Sequence, residues 1–183
     1  WKFGVMADTQ WKRNLDGHNP GTVAVGIIDL LNAEFIRHGV HLVIQVGDLV
    51  DVEYDALNGD ATRRTMPFRA AAAERLYEAG IGFFPLRGNH EASATAADEF
   101  VSLYPQSRGS GDRVFGASSF SSPFATLEGL SYSSDVGKVR FMLLDQFTRK
   151  DGTSYLGSSN NNILDQQPWI EAQLASKPSD GHV

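Results

Sequence analysis

The chain has 183 residues, 42% of them hydrophobic, which is the size of one ordinary domain with material for a substantial core. Its net charge of -6 disfavours a broad surface for nucleic acid or anionic membranes, because a polyanion would be repelled on average. The absence of cysteine excludes disulfides, thiolate nucleophiles and cysteine-bound zinc. No apolar run approaches the roughly 20 residues of a membrane-spanning helix. We therefore expect one soluble domain whose metal sites would use oxygen and imidazole ligands.

The first half of the sequence predicts three buried strands with helices between them. Each strand is a short apolar run that ends in polar residues. The strands are predicted at 2–7, 41–46 and 82–86. The first helix is predicted from Thr22 as its N-cap to Gly39, and a second over 67–79. The apolar face of the first helix is predicted to comprise Val23, Ile27, Leu30, Leu31 and Phe35. This alternation indicates an α/β fold.

The second half predicts a different arrangement. Thr95 and the acidic residue three positions later resemble a capping box, so a helix is predicted to start there and to end before Pro105. The stretch 106–122 is rich in Ser and Gly and predicts a loop at the rim of a site. Two apolar runs flank a turn at 135–138 and predict a β-hairpin, which makes the architecture mixed. A last helix is predicted to begin at Pro168, with the proline in its first turn.

Polar clusters follow all three predicted strands of the first half. They are Asp8-Thr9-Gln10, Gly47-Asp48-Leu49-Val50-Asp51 and Gly88-Asn89-His90-Glu91. Each cluster alone is equally well explained as a helix cap or a turn. Together they predict one site, because the carboxyl ends of neighbouring parallel strands meet at one sheet edge. Two buried acids beside an imidazole would need a cation to offset their desolvation, so the site is predicted to bind metal.

The order Asp-x-Gln, Gly-Asp-x-x-Asp and Gly-Asn-His-Glu resembles the calcineurin-like metallophosphoesterase superfamily. The resemblance spans essentially the whole chain, including the hairpin that ends at Leu144-Asp145 and the helix with Trp169. It implies a four-layer α/β/β/α sandwich of two mixed sheets, with residues 1–183 forming the N-terminal part of a single, C-terminally incomplete domain. The implied activity is hydrolysis of a small-molecule phosphoester by two divalent metal ions, whose bridging hydroxide attacks phosphorus in line.

The resemblance also implies a role for each residue of the three motifs. The metal ligands implied are Asp8, Gln10, Asp48 and Asn89, with Asp48 bridging the two ions. His90 is implied to face the substrate, where it stabilises the phosphoryl group or protonates the leaving oxygen. Glu91 is implied to orient His90, and Asp51 is expected to support the ligands or cap a helix without binding metal.

Gln10 departs from the family, which usually has histidine at this position. An amide oxygen is a harder ligand than an imidazole nitrogen, so manganese, iron, calcium or magnesium is favoured over zinc. A similar Asp-x-Gln variant occurs in the manganese-dependent ADP-ribose and CDP-alcohol diphosphatase branch, which favours phosphodiester or pyrophosphate substrates. Two alternatives stay open: a phosphomonoesterase with the same site, and a non-catalytic metal- or phosphate-binding relative.

Two later histidine motifs of the family are absent from the sequence. The remaining histidines have simpler interpretations: His18 and His182 in loops, with metal ligation the lesser alternative for His182, His38 at a helix end and His41 at a strand start. We therefore expect that the sequence is truncated and that a missing C-terminal segment of the same protein supplies the other ligands. The start at Trp1, without an initiator methionine, is compatible with leader removal and export.

Two further residues are candidates for substrate contact. Arg87 adjoins the third motif and is the first candidate for binding phosphate, whereas surface solvation is expected for Arg63, Arg64 and Arg69. Trp11, next to Gln10, fits either stacking on a nucleobase or sugar or packing in the core.

Overall fold

The computed structural model describes residues 1–11, 23–51, 54–55, 60–153, 162–177 and 180–183. The chain forms two compact units, Trp1–Glu91 and Ala92–Val183. The first contains a parallel sheet and the second an antiparallel sheet, so the predicted mixed α/β class is confirmed. No helix in the described ranges is long and apolar enough to cross a membrane.

The first unit is a three-stranded parallel sheet with helices and a small two-stranded sheet. Its central strand is β2, which pairs with β1 on one side and β5 on the other. The strands are β1 (Phe3–Ala7), β2 (Leu42–Val46), β3 (Tyr54–Asp55), β4 (Asp60–Arg64) and β5 (Gly82–Leu86). The helices are α1 (Val25–Arg37), α2 (Met66–Ala71) and α3 (Glu74–Glu78). All three predicted strands of this half are therefore confirmed.

The buried face of α1 differs from the predicted one. Ile27 and Leu30 are exposed, whereas Ile28 and Asn32 are fully buried. Helix α1 has more apolar residues than its buried face can hold, so the apolar pattern alone does not determine which face of the helix is buried. The predicted cap, Thr22, lies outside the described residues.

The predicted helix over 67–79 is two short helices with a break between them. The carbonyl oxygen of Ala72 accepts a hydrogen bond from the Asn32 side chain at 2.9 Å. In a continuous helix the N–H of Leu76 would use that carbonyl, but it donates to Ala73 at 2.9 Å. A polar side chain on α1 thus takes a backbone acceptor at the break between α2 and α3, which the local sequence does not predict.

The second unit is an antiparallel sheet with two helices of 10 and 14 residues. The strand order is β6 (Ala117–Ser121), β7 (Tyr132–Val136), β8 (Val139–Leu143). Strands β7 and β8 form the predicted hairpin. The helices are α4 (Ala94–Leu103) and α5 (Asn162–Ala175). The largest buried apolar side chains of this unit are Phe100, Tyr104, Leu127, Leu130 and Tyr132.

Three elements of this unit correct the sequence-based expectations. Helix α4 is capped by Ser93, whose hydroxyl accepts from the N–H of Ala96 at 3.0 Å, and not by Thr95. Strand β6 lies inside the predicted loop 106–122, because its Ser-rich sequence lacks the apolar alternation that marks a strand. Helix α5 begins six residues before Pro168, so the proline is internal.

Helix α5 is joined to the antiparallel sheet by a polar network around Arg140. The guanidinium of Arg140 donates to both carboxylate oxygens of Asp135, at 2.7 and 2.9 Å. Its remaining nitrogen donates to the carbonyl of Gln173 at 2.8 Å and to the hydroxyl of Ser176 at 2.9 Å. The Arg140 side chain is 9% exposed, so these contacts are largely shielded from water. The hairpin therefore holds the end of α5 through one arginine.

We expect Asp135→Asn to destabilise the protein by about 1–3 kcal/mol at neutral pH, because a charge-assisted, two-pronged hydrogen bond is lost. The hydrogen bonds from Arg140 lower the pKa of Asp135 below its usual value. The stabilisation is thus complete above the pKa of the unfolded chain and is lost as pH falls through the lower folded-state pKa. Urea unfolding of parent and variant should show a difference that shrinks on acidification below about pH 4.

The matched control is Asp180→Asn, which removes the ion pair with Lys138. Both side chains of that pair are mostly exposed, so little change in stability is expected at any pH. If the stability difference between the parent and Asp135→Asn stayed constant down to pH 2, it would not arise from the charged contact between Asp135 and Arg140.

Candidate metal centre

The carboxyl ends of β1, β2 and β5 lie at one edge of the parallel sheet. The register pairs Ala7 with Val46 and Val46 with Leu86, so the three strands end level with one another. The polar clusters predicted to share a site follow at that edge. Backbone hydrogen bonds join the first two, from Asp8 N–H to Gly47 at 3.3 Å and from Gln10 N–H to the Asp48 carbonyl at 3.2 Å.

The backbone at both aspartates is unusual. Asp8 has a φ of 54° and Asp48 a φ of 48°, in the left-handed region that most side chains avoid. A strained backbone conformation persists only where the surrounding structure holds it in place, and such residues are found most often at functional sites. Here both strained residues are candidate metal ligands, at the ends of adjacent strands.

The loops after β2 and β5 approach each other closely at two glycines. A Cβ atom built on Gly88 would lie 1.9 Å from Oδ1 of Asp48 and 2.2 Å from its backbone nitrogen. A Cβ on Gly47, whose φ is +70°, would lie 3.0 Å from the Cα of Gly88. Only glycine at position 88 lets the third motif lie against the Asp48 carboxylate.

The carboxylate of Asp48 contacts both other motifs. Its Oδ1 accepts from the backbone N–H of His90, and its Oδ2 accepts from the side-chain amide of Gln10, each at 3.3 Å. Asp48 is half-buried, and it links the three segments at one point. This is the position that the resemblance assigns to the ligand shared by two metals.

The side-chain oxygen of Gln10 shows whether the candidate ligands fit a cation. Its amide nitrogen is engaged with Asp48, while its Oε1 is buried and has no hydrogen-bond partner among the described residues. A buried acceptor without a donor is costly, and a metal ion is one group that would satisfy it. Asp8 and Asn89 are exposed at the same sheet edge, so their oxygens are accessible. The donor set therefore fits a hard divalent cation.

These candidate ligands would make up only part of a dinuclear centre. Within the described ranges, no group of three or more His, Cys, Asp or Glu side chains could hold a metal ion. The four candidates comprise two carboxylates and two amides, whereas hard cations such as Ca²⁺ take six or more oxygen ligands each. Further donors must come from water, substrate or other residues.

The His90 ring is held by Asp51. Its Nδ1 lies 2.5 Å from the backbone carbonyl oxygen of Asp51 and 3.7 Å from the carboxylate of that residue. Because a carbonyl oxygen can only accept, Nδ1 carries the proton, which leaves Nε2 for other contacts. This backbone hydrogen bond, together with nearby acidic charges, raises the pKa of His90 despite its partial burial.

Glu91 fastens two of the loops together. Its fully buried carboxylate accepts from the backbone N–H of Val50 and from that of Gly88, both at 2.9 Å. Burial raises the pKa of Glu91 to about 7, although the two hydrogen bonds oppose the shift. Both oxygens are thus used by the backbone, so Glu91 supports His90 by fixing the turn on which it stands. Contact with the His90 ring is made by Asp51 instead.

The two candidates for substrate contact, Arg87 and Trp11, are buried and half-buried, respectively. Arg87 is 2% exposed, and its Nη1 donates to the carbonyl of Glu91 at 3.2 Å, which favours a role in holding the third motif. Trp11 is half-buried, with an indole N–H that lacks a hydrogen-bond partner in the described part of the chain. Arg69, expected at the surface, is fully buried. The side chains of Arg63 and Arg64 lie outside the described residues.

The other histidines lie apart from the three motifs in the sequence. His38 is exposed next to Glu34 and Arg37 at the end of α1. His41 is exposed and stacks on Trp1 with ring centroids 5.6 Å apart. His182, expected in a loop, pairs in parallel with Val139 at the edge of β8. His18 lies outside the described residues.

Residues of the Ser- and Gly-rich segment line part of a cavity of about 260 Å³ in the second unit. Its walls combine two phenyl rings, three hydroxyls and one charge of each sign. They are formed by Ser107, Arg108, Phe120, Ser121, Ser122, Phe124, Ala125 and Glu128. None of the candidate ligands belongs to this cavity.

Comparisons with known proteins identify the fold. No protein-family model and no curated protein sequence matches the chain. Among solved structures, the chain is similar to a dimetal phosphatase from Danio rerio, with a TM-score of 0.50 and 19% sequence identity. The match covers 92% of this chain and 51% of the phosphatase, so the chain spans about half the length of that protein. At this identity the match shows a shared fold, in agreement with the fold class that the motifs imply.

Proposed function

We propose that the chain is a metal-dependent phosphoester hydrolase of the calcineurin-like metallophosphoesterase superfamily, with its catalytic centre at the carboxyl edge of the parallel sheet. One observation carries the proposal: Asp48 contacts the motifs of Gln10 and His90 at the point where β1, β2 and β5 end. The fold shared with a dimetal phosphatase supports two divalent cations as the cofactors.

Asp8, Gln10, Asp48 and Asn89 would hold the cations, with Asp48 shared between them. When bound, the cations would supply Lewis-acid stabilisation of the phosphoryl oxygens and make a water molecule more acidic. The two amides offer oxygen without adding negative charge, which lowers the repulsion of an anionic phosphoester. Since the four ligands all offer oxygen, manganese, magnesium, calcium or iron is proposed over zinc.

His90 is the residue proposed to act on the substrate. Its ring is held through Nδ1 by the Asp51 carbonyl, so that Nε2 is the nitrogen proposed to face the phosphoryl group or the leaving oxygen. Fixing one ring nitrogen in this way sets the tautomer and the orientation of an acid or electrostatic catalyst. A purely structural turn would not require a histidine at this position.

The proposed substrates are phosphodiesters or pyrophosphates, on the resemblance of Asp-x-Gln to the diphosphatase branch. Phosphomonoester hydrolysis by the same site and metal binding without catalysis are the competing functions. Assays with bis(4-nitrophenyl) phosphate and 4-nitrophenyl phosphate, with Mn²⁺, Mg²⁺, Ca²⁺, Fe²⁺ and Zn²⁺ added singly, separate the three. Diester hydrolysis with an oxygen-preferring ion supports the proposal, whereas monoester turnover alone replaces the substrate class.

We expect His90→Ala to lower kcat by about 10²–10⁴-fold, the usual contribution of a positioned acid or base. Binding of Mn²⁺, measured by titration, should change little, because His90 is not a proposed ligand. His38→Ala is the control, since His38 is an exposed histidine at the end of α1. Equal kcat values for His90→Ala and the parent, or metal binding without any hydrolysis by the parent, would favour the non-catalytic function.

A further inference from the structure

A buried polar network lies next to the metal-binding loops of the first unit. Arg69 on α2, Gln45 on β2 and Thr9 after β1 are each no more than 4% exposed. Nε of Arg69 donates to the Thr9 hydroxyl at 3.0 Å, and Nη2 donates to the side-chain oxygen of Gln45 at 2.8 Å. The guanidinium also lies over the ring of Phe83, 4.6 Å from its centroid. One arginine thus spans strands β2 and β5 and the loop after β1.

The two side chains that Arg69 binds, Thr9 and Gln45, also form hydrogen bonds to the loop that carries Asp48. Gln45 donates to the carbonyl of Gly47 at 2.9 Å, and the same carbonyl accepts the N–H of Asp8 at 3.3 Å. The Thr9 hydroxyl, which lies between two candidate ligands in sequence, is 3.3 Å from the carbonyl of Leu49. The network therefore connects the loop of Asp8 and Gln10 to the loop of Asp48.

The composition of this network is not explained by packing alone. Burying a guanidinium and an amide in place of apolar side chains costs desolvation free energy, which good geometry must offset. Gln45 interrupts the otherwise apolar strand Leu42–Val46. The planar guanidinium presents its donors in a fixed fork, so it sets the spacing of the two acceptors that it binds.

We propose that Arg69 is a positioning residue for the metal centre: from α2 it sets the spacing between the loop of Asp8 and Gln10 and the loop of Asp48. This inference rests on the proposed function, because it concerns the same ligands. Arg69 itself acts only through Thr9, Gln45 and the backbone that they hold.

The test compares Mn²⁺ affinity, measured by electron paramagnetic resonance titration, with unfolding by urea in the absence of metal. Arg69→Met replaces the guanidinium by an apolar side chain of similar length. Arg69→Lys keeps the positive charge but loses the two fixed donors that bind Thr9 and Gln45. Supporting residues behind metal ligands typically contribute 10–100-fold to metal affinity, so both variants should bind Mn²⁺ at least tenfold more weakly. Arg75→Met is the control, since Arg75 lies on the neighbouring helix α3 and donates an exposed hydrogen bond to the Asp29 carbonyl.

A second pair of variants covers the case in which Arg69→Met does not fold. Thr9→Val removes the hydroxyl that Arg69 binds, while Thr9→Ser retains it. We expect Thr9→Val to lose at least tenfold in Mn²⁺ affinity and Thr9→Ser to bind within about threefold of the parent. This rescue separates positioning from general packing, which both substitutions disturb.

If the variants at Arg69 and Thr9→Val fold and bind Mn²⁺ as tightly as the parent, the inference is overturned and the proposed function still stands. Loss of affinity in Thr9→Ser equal to that in Thr9→Val would also overturn it, because the hydroxyl would then be irrelevant. A full-length parent protein that binds no Mn²⁺ would instead remove the proposed function, and with it this role for Arg69.

Discussion

Asp48→Asn is expected to abolish metal-dependent hydrolysis, with kcat/KM lower by roughly 10³-fold or more. Lewis-acid stabilisation by a bound metal is worth several kcal/mol, and each 1.4 kcal/mol is about tenfold in rate. Asn retains the shape of the side chain but removes the charge proposed to be shared by two cations. It also leaves an amide group where Asp48 now accepts from both His90 and Gln10.

The measurement combines Mn²⁺ titration with diester hydrolysis at saturating metal. Affinity should fall together with activity, whereas the His90 variant should lose activity alone. Asp98→Asn is the matched control, because Asp98 is exposed on α4, outside the first unit. If Asp48→Asn kept the Mn²⁺ affinity and turnover of the parent, Asp48 would not be a metal ligand.

Gly88→Ala is expected to destabilise the protein by more than about 3 kcal/mol or to prevent folding of the first unit. The added methyl group would lie 2.2 Å from the backbone nitrogen of Asp48, so rotation of a side chain cannot relieve the clash. Ordinary overpacking costs about 1–3 kcal/mol because side chains can move, and a clash with backbone is the more severe case. Urea unfolding followed by circular dichroism measures the loss.

The control for this substitution is Gly26→Ala in α1. A Cβ atom on Gly26 meets nothing within 4 Å, and alanine favours a helix by up to about 1 kcal/mol over glycine. We therefore expect slight stabilisation there. Equal effects of the two substitutions would contradict the close approach of the loops after β2 and β5.

The parallel sheet of the first unit was accessible to sequence reasoning because its signals are local. Strands β1, β2 and β5 are short apolar runs that end at polar clusters, and parallel strands bring such clusters to one edge. Asp8, Asp48 and His90 are predicted as site residues for the same reason, since each lies within four residues after the end of a strand, in a motif with defined spacing. The fold class and the segments of the candidate site follow from these patterns.

Contacts between distant elements were not accessible in this way. The break between α2 and α3 depends on Asn32, 40 positions from Ala72, and no window around residue 72 contains that signal. The surface placement expected for Arg69 is wrong for a related reason. A basic residue is expected at the surface by default, and only buried acceptors from other segments make its burial tolerable.

One signal for the buried network was present in the sequence and was missed. Gln45 is the single polar residue in the strand Leu42–Val46, and its side chain is completely buried. A polar side chain in such a strand requires hydrogen-bond partners, which here are Arg69 and Gly47. The partner could not be named from sequence, but the need for one could.

The left-handed backbone at Asp8 and Asp48 limits which amino acids those positions can accept before any metal is considered. Glycine adopts this conformation freely, and asparagine and aspartate are enriched in it at some cost, whereas a bulkier side chain loses about 1–2 kcal/mol. Glutamate would bring the same charge but carries that conformational cost. Of glycine, asparagine and aspartate, aspartate alone is anionic. The backbone conformation therefore restricts substitution at these two positions independently of any role in metal binding.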